Sequence, residues 1–141
     1  MYRIEAYLFF DGNCAEAMRF YERVLGGKLA LLTVKGSPVE DQMPPGSGDK
    51  ILHSRLDAGG AVLMASDWLA AEPYATVGGF AVTLAAPTQE EARSLFDKLA
   101  EGGRISMPFA PTFYSDGFGM VEDRFGTPWM VMSATNGHED H

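Results

Sequence analysis

Residues 5–27 and 80–102 are weak copies of each other at a fixed offset of 75 positions. Each copy reads as an apolar strand, a helix-capping residue, one amphipathic helix and a Gly-Gly stop. The matching pairs are Asn13/Thr88, Glu16/Glu91, Ala17/Ala92, Tyr21/Phe96, Val24/Leu99 and Gly27/Gly102. A repeat of half the chain is too long for a solenoid unit, so it predicts two fused βα modules. Folds built from two similar halves often hold their ligand where the halves meet, and we expect the site there.

The first copy predicts its elements clearly. Residues 3–10 are aromatic and apolar and predict a strand. Asn13 and Glu16 have the spacing of a capping box, and an apolar stripe at helical spacing runs from there to Gly26-Gly27. The pattern therefore predicts a helix that begins after Asn13 and ends before the glycine pair.

The remainder of the first module is predicted to be β-structure. Residues 28–34 read as a strand, and residues 51–57 and 61–65 read as an antiparallel hairpin around Gly59-Gly60. Between them, residues 35–50 form a Pro/Gly-rich loop, which is either a lid over a site or a disordered segment.

The second copy predicts the same plan. Strands are expected at 79–85, 104–109, 118–122 and 128–133, with a helix capped by Thr88. The predicted fold is α+β, with a βαβββ module at 1–67, a linker at 68–76, a second module at 77–134 and a polar tail at 135–141. Curved, antiparallel-rich sheets would surround a cavity, with the helices outside.

Composition narrows the class of partner. The 141-residue chain carries a net charge of −8 and no basic stripe, so a nucleic-acid partner is not expected. No apolar run approaches the length of a bilayer span, and no secretory leader is recognisable, so we expect a cytoplasmic protein without a membrane partner. The single cysteine, Cys14, excludes an intramolecular disulfide.

Several motifs together carry a resemblance. They are F-x-G-N-C-x-E-A-x-x-F-Y-x-x-x-L-G-G at 10–27, His53, A-S-D at 65–67, F-x-x-x-G-F-G at 113–119 and D-R-F-G-x-P-W at 123–129. This set resembles PhnB-like proteins of the glyoxalase / bleomycin-resistance / dioxygenase (vicinal oxygen chelate) superfamily. No glycine-rich strand-to-helix loop suggests a methyl-donor site, so methyltransferase activity is not predicted.

The resemblance implies a cavity lined by both modules, and a homodimer that completes or buries it. In metal-using members, one side chain on the first strand and one on a late strand of each module bind a divalent ion such as Zn, Ni, Mn or Fe. Carried over residue by residue, these positions fall at Glu5, His53, Phe80 and Met130. Phe80 offers no ligand and Met130 only a thioether, so Glu5 and His53 would form at most a weak metal half-site.

Strand alternation predicts which side chains line the cavity. Glu5 and Tyr7 share one face of the first strand, and His53 and Arg55 share one face of theirs. We expect these four to form a polar wall opposite an apolar wall of Phe80, Val82 and Met130. Alternatively, Glu5 and Arg55 merely form an ion pair, and a neighbouring carboxylate satisfies His53.

Other candidates are weaker. Tyr114, between two strands, is a candidate substrate-binding residue at a cavity mouth. Cys14 lies in the first turn of a helix, where a thiolate is favoured, but no base is adjacent in sequence. Phe113, Phe125 and Trp129 are expected in a core or a dimer interface, and the tail residues His138 and His141 are not expected to bind metal.

Three functions remain open on this basis. The leading prediction is binding of a small organic molecule, with Glu5 and His53 as a metal-free acid–base pair or a weak metal site, because histidine exchanges its proton near neutral pH. The first alternative is a metal-dependent lyase, isomerase or oxygenase of the glyoxalase or dioxygenase type. The second is a non-catalytic protein that sequesters a cationic antibiotic, as bleomycin-resistance proteins do.

Overall fold

The computed structural model of the protein describes residues 2–76 and 78–133. The chain divides into two compact units between residues 77 and 78. The first unit contains β1 (Ala6–Phe10), α1 (Cys14–Leu25), β2 (Lys28–Thr33), a 3₁₀ turn (Glu40–Gln42), β3 (Ile51–Ala58) and β4 (Ala61–Asp67). The second contains β5 (Val82–Ala85), α2 (Gln89–Leu99), β6 (Arg104–Ala110), β7 (Phe118–Glu122) and β8 (Pro128–Met132).

Each unit is a four-stranded mixed sheet with one helix, which confirms the predicted α+β fold of two βαβββ modules. The strand order is β1-β4-β3-β2 in the first sheet and β5-β8-β7-β6 in the second. The first strand of each unit runs parallel to the last, while the other two pairings are antiparallel. The parallel pairing forms because the helix carries the chain from one edge strand to the opposite edge.

The core of the first unit lies between α1 and one face of its sheet. Ala17, Tyr21 and Val24 are buried as the helical stripe predicts, together with Met18 and Phe20 on neighbouring turns. The sheet side contributes the buried residues Leu8, Phe10, Leu56, Leu63 and Ala65. This packing fixes the orientation of the sheet, so its alternate residues point away from α1.

The core of the second unit also lies between its helix and one face of its sheet, and it includes a glycine on a strand against an aromatic ring of the helix. Ala92, Phe96 and Leu99 are buried on α2, against Trp129 and Val131 of β8. Gly119 of β7 gives room for the Phe96 ring, which a Cβ at that position would overlap. The aromatic ring thus fills volume that a side chain on β7 would otherwise occupy.

The repeat is exact in the helices and shifted by one residue in the strands. Both helices begin at positions 75 apart. In the sheets, Leu8 pairs with Ala65 as Leu84 pairs with Val131, an offset of 76 on the first strand. The turn before α2 is therefore one residue shorter than the turn before α1.

After the helices the offset returns to 76, so the predicted pairing of Gly27 with Gly102 is wrong by one residue. A Cβ at Gly27 would overlap the carbonyl oxygen of Asp57, and a Cβ at Gly103 would overlap that of Glu122. Gly103, not Gly102, is thus the structural counterpart of Gly27, because both lie where the chain passes closely over the neighbouring strand.

The two helices are capped differently. Thr88 caps α2 as predicted, since its Oγ1 accepts the Glu91 backbone N–H at 3.1 Å. The side chain of Asn13 makes no capping hydrogen bond, so the predicted capping box at α1 is wrong. Asp67, which is distant in sequence, replaces it by accepting the Cys14 N–H at 2.9 Å.

Residues 35–50 form an ordered loop with paired ends. Val34 N–H donates to Lys50 O at 2.9 Å, and Lys35 N–H donates to Gly48 O at 3.0 Å. Of the two interpretations of this loop, the disordered one is therefore not supported. Among the described residues, no helix is long and apolar enough to cross a membrane.

Candidate functional site

The face of the first sheet that points away from α1 gathers the polar residues that we predicted. We call it the open face of the first sheet, and its members are Tyr7, Phe9, His53, Arg55 and Met64. Leu8 and Ser54, which alternate with these residues, are buried on the α1 side. Tyr7 and Phe9 are 37% and 49% exposed, so a ligand on this face could contact their rings.

Tyr7 and His53 make the central contact of this face. The Tyr7 hydroxyl lies 3.0 Å from His53 Nδ1, and the two rings stack with centroids 5.7 Å apart at 22°. On β4, Met64 pairs with Tyr7 and the small Ser66 pairs with Phe9, so the contact runs diagonally across this strand. The long Tyr7 side chain can therefore reach across β4 to the imidazole on β3.

Aromatic rings continue from this pair along the sheet. Tyr7 contacts Phe9 with centroids 5.2 Å apart, Phe9 meets Trp68 edge-on at 5.4 Å, and Trp68 meets Tyr74 edge-on at 6.2 Å. Two hydrogen bonds hold the far end: Trp68 Nε1–H donates to Glu72 O at 2.7 Å, and Tyr74 O–H donates to Phe9 O at 3.2 Å. We call these five side chains the aromatic row: His53, Tyr7, Phe9, Trp68 and Tyr74.

Charged residues flank the row, with partners other than those expected. Glu5 pairs with Arg3 at 3.1 Å, and Arg55 lies 3.9 Å from Asp57. A Glu5–Arg55 ion pair is therefore not formed, and His53 is satisfied by the Tyr7 hydroxyl rather than by a carboxylate. The pairing of Arg55 is long and half-exposed, so its guanidinium keeps most of its donors for other partners.

The sheet register changes which residues correspond between the units. Met130 on β8 is the counterpart of Met64 on β4. Met64 pairs with Tyr7 on the first strand of its unit, and Met130 pairs with Thr83, which lies 76 positions after Tyr7. His53 lies on β3, whose counterpart is β7. The correspondence that we predicted between His53 and Met130 is wrong, and both units place a methionine at this late-strand position.

These residues do not fit the four-ligand divalent site that the resemblance implies. The Glu5 carboxylate is engaged by Arg3, and one imidazole nitrogen of His53 is engaged by Tyr7. Met64 and Met130, at matching positions of β4 and β8, offer only thioethers. Thioethers are poor ligands for hard divalent ions. Throughout residues 2–76 and 78–133, no three His, Cys, Asp or Glu side chains are grouped so that they could hold a metal. His138 and His141 lie outside the described residues.

The predicted apolar wall of the second unit is partly displaced by the same one-residue shift. Val82 pairs with Trp129, whose side chain is buried on the α2 side, so Val82 belongs to the helix-facing side of its sheet. Phe80 precedes β5 and is 49% exposed. Met130 does point away from α2. Tyr114 packs edge-on against Phe113 and Phe118, at 5.0 and 5.9 Å.

Of the three aromatic residues assigned to a core or interface, Trp129 is buried, and its Nε1–H donates to Asp123 Oδ2 at 2.9 Å. Phe113 is 93% exposed, so it does not belong to the core of its unit, and its place in a dimer interface stays a prediction.

Cys14 is part of the core. Its thiol is fully buried, and its Sγ lies 3.7 Å from Ser54 Oγ. Burial raises the pKa of the Cys14 thiol to about 12, although the Ser54 hydrogen bond opposes the rise and the nearby Asp67 charge adds to it. The helix terminus does not produce a thiolate here, because the cost of burying the charge is larger.

Sequence reasoning missed Phe9, Trp68 and Tyr74 as site residues. Alternation already placed Phe9 on the face of Tyr7. Trp68 and Tyr74 lie in the segment predicted as a linker, and the signal there was two large aromatic residues in a short polar stretch. Only the fold shows that this segment turns back over β1.

Comparison with known proteins gives consistent results along the chain. The family model described as Glyoxalase/Bleomycin resistance protein/Dioxygenase superfamily matches residues 3–131. Protein YjdN from Escherichia coli (strain K12) is 33% identical over an alignment of 142 positions. The alignment covers 91% of this chain and 92% of that protein.

Two solved structures are also similar. Protein PA1353 from Pseudomonas aeruginosa is 42% identical with a TM-score of 0.82, covering 93% of this chain and 98% of that chain. A PhnB protein from Bacillus cereus, described as a candidate 3-demethylubiquinone-9 3-methyltransferase, is 25% identical with a TM-score of 0.72, covering 94% of this chain and 100% of that chain.

Proposed function

The chain belongs to the glyoxalase/bleomycin resistance protein/dioxygenase superfamily, and from this premise we propose that it binds a small aromatic molecule carrying an anionic group. The binding surface is the open face of the first sheet. The single observation that carries the proposal is the hydrogen-bonded and stacked Tyr7–His53 pair. The superfamily supports a fold and not a substrate, so the ligand class is argued from the side chains.

The aromatic row supports recognition of a planar ring. Tyr7 and Phe9 expose a substantial part of their side chains, and neighbouring rings hold them in position. Rigid, partly exposed aromatic side chains offer large contact area at a small cost in conformational entropy. A ligand ring can therefore stack on this face without reordering it.

Arg55 supports an anionic substituent on that ring. In the sheet register, Tyr7 pairs with Met64 and Met64 pairs with Arg55, so the three residues form one row across the open face. Neighbouring strands lie about 4.8 Å apart, so the backbones of Tyr7 and Arg55, which are two strands apart, are separated by about 10 Å, a gap that a stacked ring and the long arginine side chain can span. A carboxylate or phenolate at the edge of a stacked ring would reach the guanidinium.

The Tyr7–His53 pair adds the capacity to move a proton. When Nδ1–H donates to the Tyr7 oxygen, Nε2 is an acceptor and can take a proton from a ligand hydroxyl. When the Tyr7 O–H donates to Nδ1, Nε2–H is a donor to a ligand oxygen instead. Glu5 is proposed to act from the edge of the same face, where Arg3 holds its carboxylate.

The proposal leaves no step to a divalent metal, because the donor set does not fit one. Sequestration of a cationic antibiotic is also less well supported, since the two carboxylates beside this face, Glu5 and Asp57, are each paired with an arginine. The homodimer implied by family resemblance stays part of the proposal, and sedimentation equilibrium at micromolar concentration tests it: a single species at the monomer mass would contradict it.

Binding of 2-naphthoate, measured by isothermal titration calorimetry, tests the proposed ligand class. We expect Arg55→Met to weaken it about tenfold or more, since a charge-assisted hydrogen bond contributes about 1.5–3 kcal/mol. Arg104→Met is the matched control, because Arg104 is a surface arginine of the other sheet and, like Arg55, lies near one carboxylate, that of Glu122 at 3.2 Å. Equal affinity in both variants, or tighter binding of 2-naphthylmethylammonium than of 2-naphthoate, would refute the proposed class.

A further inference from the structure

Three methionines form a straight row across the second sheet. Met107 on β6 pairs with Met120 on β7, and Met120 pairs with Met130 on β8. Two irregularities in the β6–β7 register flank Met107 and bring it opposite Met120. Without them, the regular two-residue alternation would set a different residue opposite Met120.

All three side chains belong to the face that points away from α2. Gly119 and Val131, which precede and follow two of the methionines, face the helix: a Cβ at Gly119 would overlap the Phe96 ring, and Val131 is fully buried. Met120 and Met130 therefore point to the other face, and Met107 joins them as the cross-strand partner of Met120. Met107 is 45% exposed, and the other two are partly exposed.

The spacing allows the three sulfur atoms to meet. Adjacent strands are about 4.8 Å apart, so the two outer methionines are separated by about 10 Å at the backbone. Methionine is long, unbranched and flexible, so the outer side chains can lean over the central one. The next residue of the row is Thr83, opposite Met130, and the carboxylate of Glu122 two residues from Met120 is paired with Arg104.

We propose that Met107, Met120 and Met130 form a thioether site for a soft monovalent cation, Cu(I). Thioether sulfur binds soft ions and binds hard divalent ions poorly. Three neutral donors suit a single positive charge, and no ligand on this row must lose a proton. The proposal is independent of the aromatic row, which lies on the other sheet. The competing interpretation is an apolar face where methionine only fills space.

The test uses Ag(I), a redox-stable ion of the same charge and softness, added as the nitrate to protein carrying ¹³C-methyl methionine. We expect the methyl signals of Met107, Met120 and Met130 to shift together at one equivalent, while Met18 and Met43 stay in place. Met120→Leu keeps the size of the side chain and should weaken Ag(I) binding at least about tenfold, since loss of even an outer-shell partner of a metal ligand costs about that much.

Two variants separate the proposal from its competitors. Met43→Leu is the matched control, because Met43 is also partly exposed but lies in the loop after the 3₁₀ turn; it should bind as the unmodified chain does. Met107→Leu, on an edge strand, gives a second measurement if Met120→Leu is unstable. Ag(I) binding that survives both row variants, or is lost only with Cys14→Ala, would overturn the proposal.

Discussion

The carboxylate of Asp67 caps the helix that begins at Cys14, with Oδ1 accepting the Cys14 backbone N–H at 2.9 Å. Its other oxygen accepts the N–H of Ile51 at 2.8 Å. One buried side chain at the end of β4 therefore satisfies the first residue of α1 and the first residue of β3. Because Asp67 is only 2% exposed, these two donors replace the water that its charge loses on folding.

Replacing Asp67 with Asn should destabilise the protein by about 1–3 kcal/mol, because the amide nitrogen cannot accept one of the two backbone hydrogen bonds. Urea unfolding followed by circular dichroism measures the change. A change below about 0.5 kcal/mol, the usual range for surface substitutions, would show that the carboxylate does not join the two elements.

The equivalent cap positions of the two helices should respond differently to alanine. Thr88→Ala should cost about 1 kcal/mol, since its Oγ1 accepts the Glu91 N–H. Asn13→Ala should lower the free energy of unfolding by only about a few tenths of a kcal/mol, because the Asn13 side chain makes no capping hydrogen bond. Paired urea-unfolding curves decide the matter, and equal losses at both positions would contradict the assigned capping of α1.

Cys14 should make the protein less stable in alkali. The unfolded thiol loses its proton near pH 9.0, while the folded thiol, with its pKa raised to about 12, keeps it. Above pH 9 the unfolded state binds fewer protons, so the free energy of unfolding falls with a limiting slope of about 1.4 kcal/mol per pH unit. Unfolding midpoints from pH 8 to 10.5 should show this fall, and Cys14→Ala should show less of it. Parallel curves for the two proteins would refute the raised pKa.

Alanine at the close strand crossings should be worse than alanine in an open turn. Gly27 and Gly12 both have positive φ angles, +93° and +92°, but only Gly27 has a backbone oxygen in the path of a Cβ. Gly12→Ala should cost about 1–2 kcal/mol from its left-handed backbone. Gly27→Ala should cost a further 1–3 kcal/mol or so from overlap with Asp57. Equal effects of the two substitutions on the free energy of unfolding would show that the close approach of Gly27 to Asp57 does not limit the size of the residue there.

Much of the fold follows from local pattern. Apolar stripes at helical spacing and glycine turns predicted both helices and the hairpin, because these signals are read within a few residues. The parallel pairing of β1 with β4 is a long-range choice and was not predicted. The cap of α1 was missed for the same reason, since Asp67 lies far from Cys14 in sequence.

The candidate site was predicted less well than the fold. Alternation correctly put Tyr7 on the face opposite Leu8 and Phe10, since a regular strand fixes that pattern. It could not predict that Tyr7 reaches His53, because this contact crosses an intervening strand. Carrying one fixed offset through a turn of different length misaligned Glu5 with Phe80. By strand register the counterpart of Glu5 is Ala81. Nothing in the local sequence indicates this shift of one residue.

The most direct test of the central claim, that the open face of the first sheet is the ligand site, is a chemical-shift map of the labelled protein with 2-naphthoate. We predict that the largest changes fall on Tyr7, Phe9, His53, Arg55 and the indole N–H of Trp68, while the buried indole of Trp129 stays unchanged. Tyr7→Phe should retain the stacking shifts of Phe9 and lose the change at His53. Shifts centred on the second unit, or none at millimolar 2-naphthoate, would contradict the account.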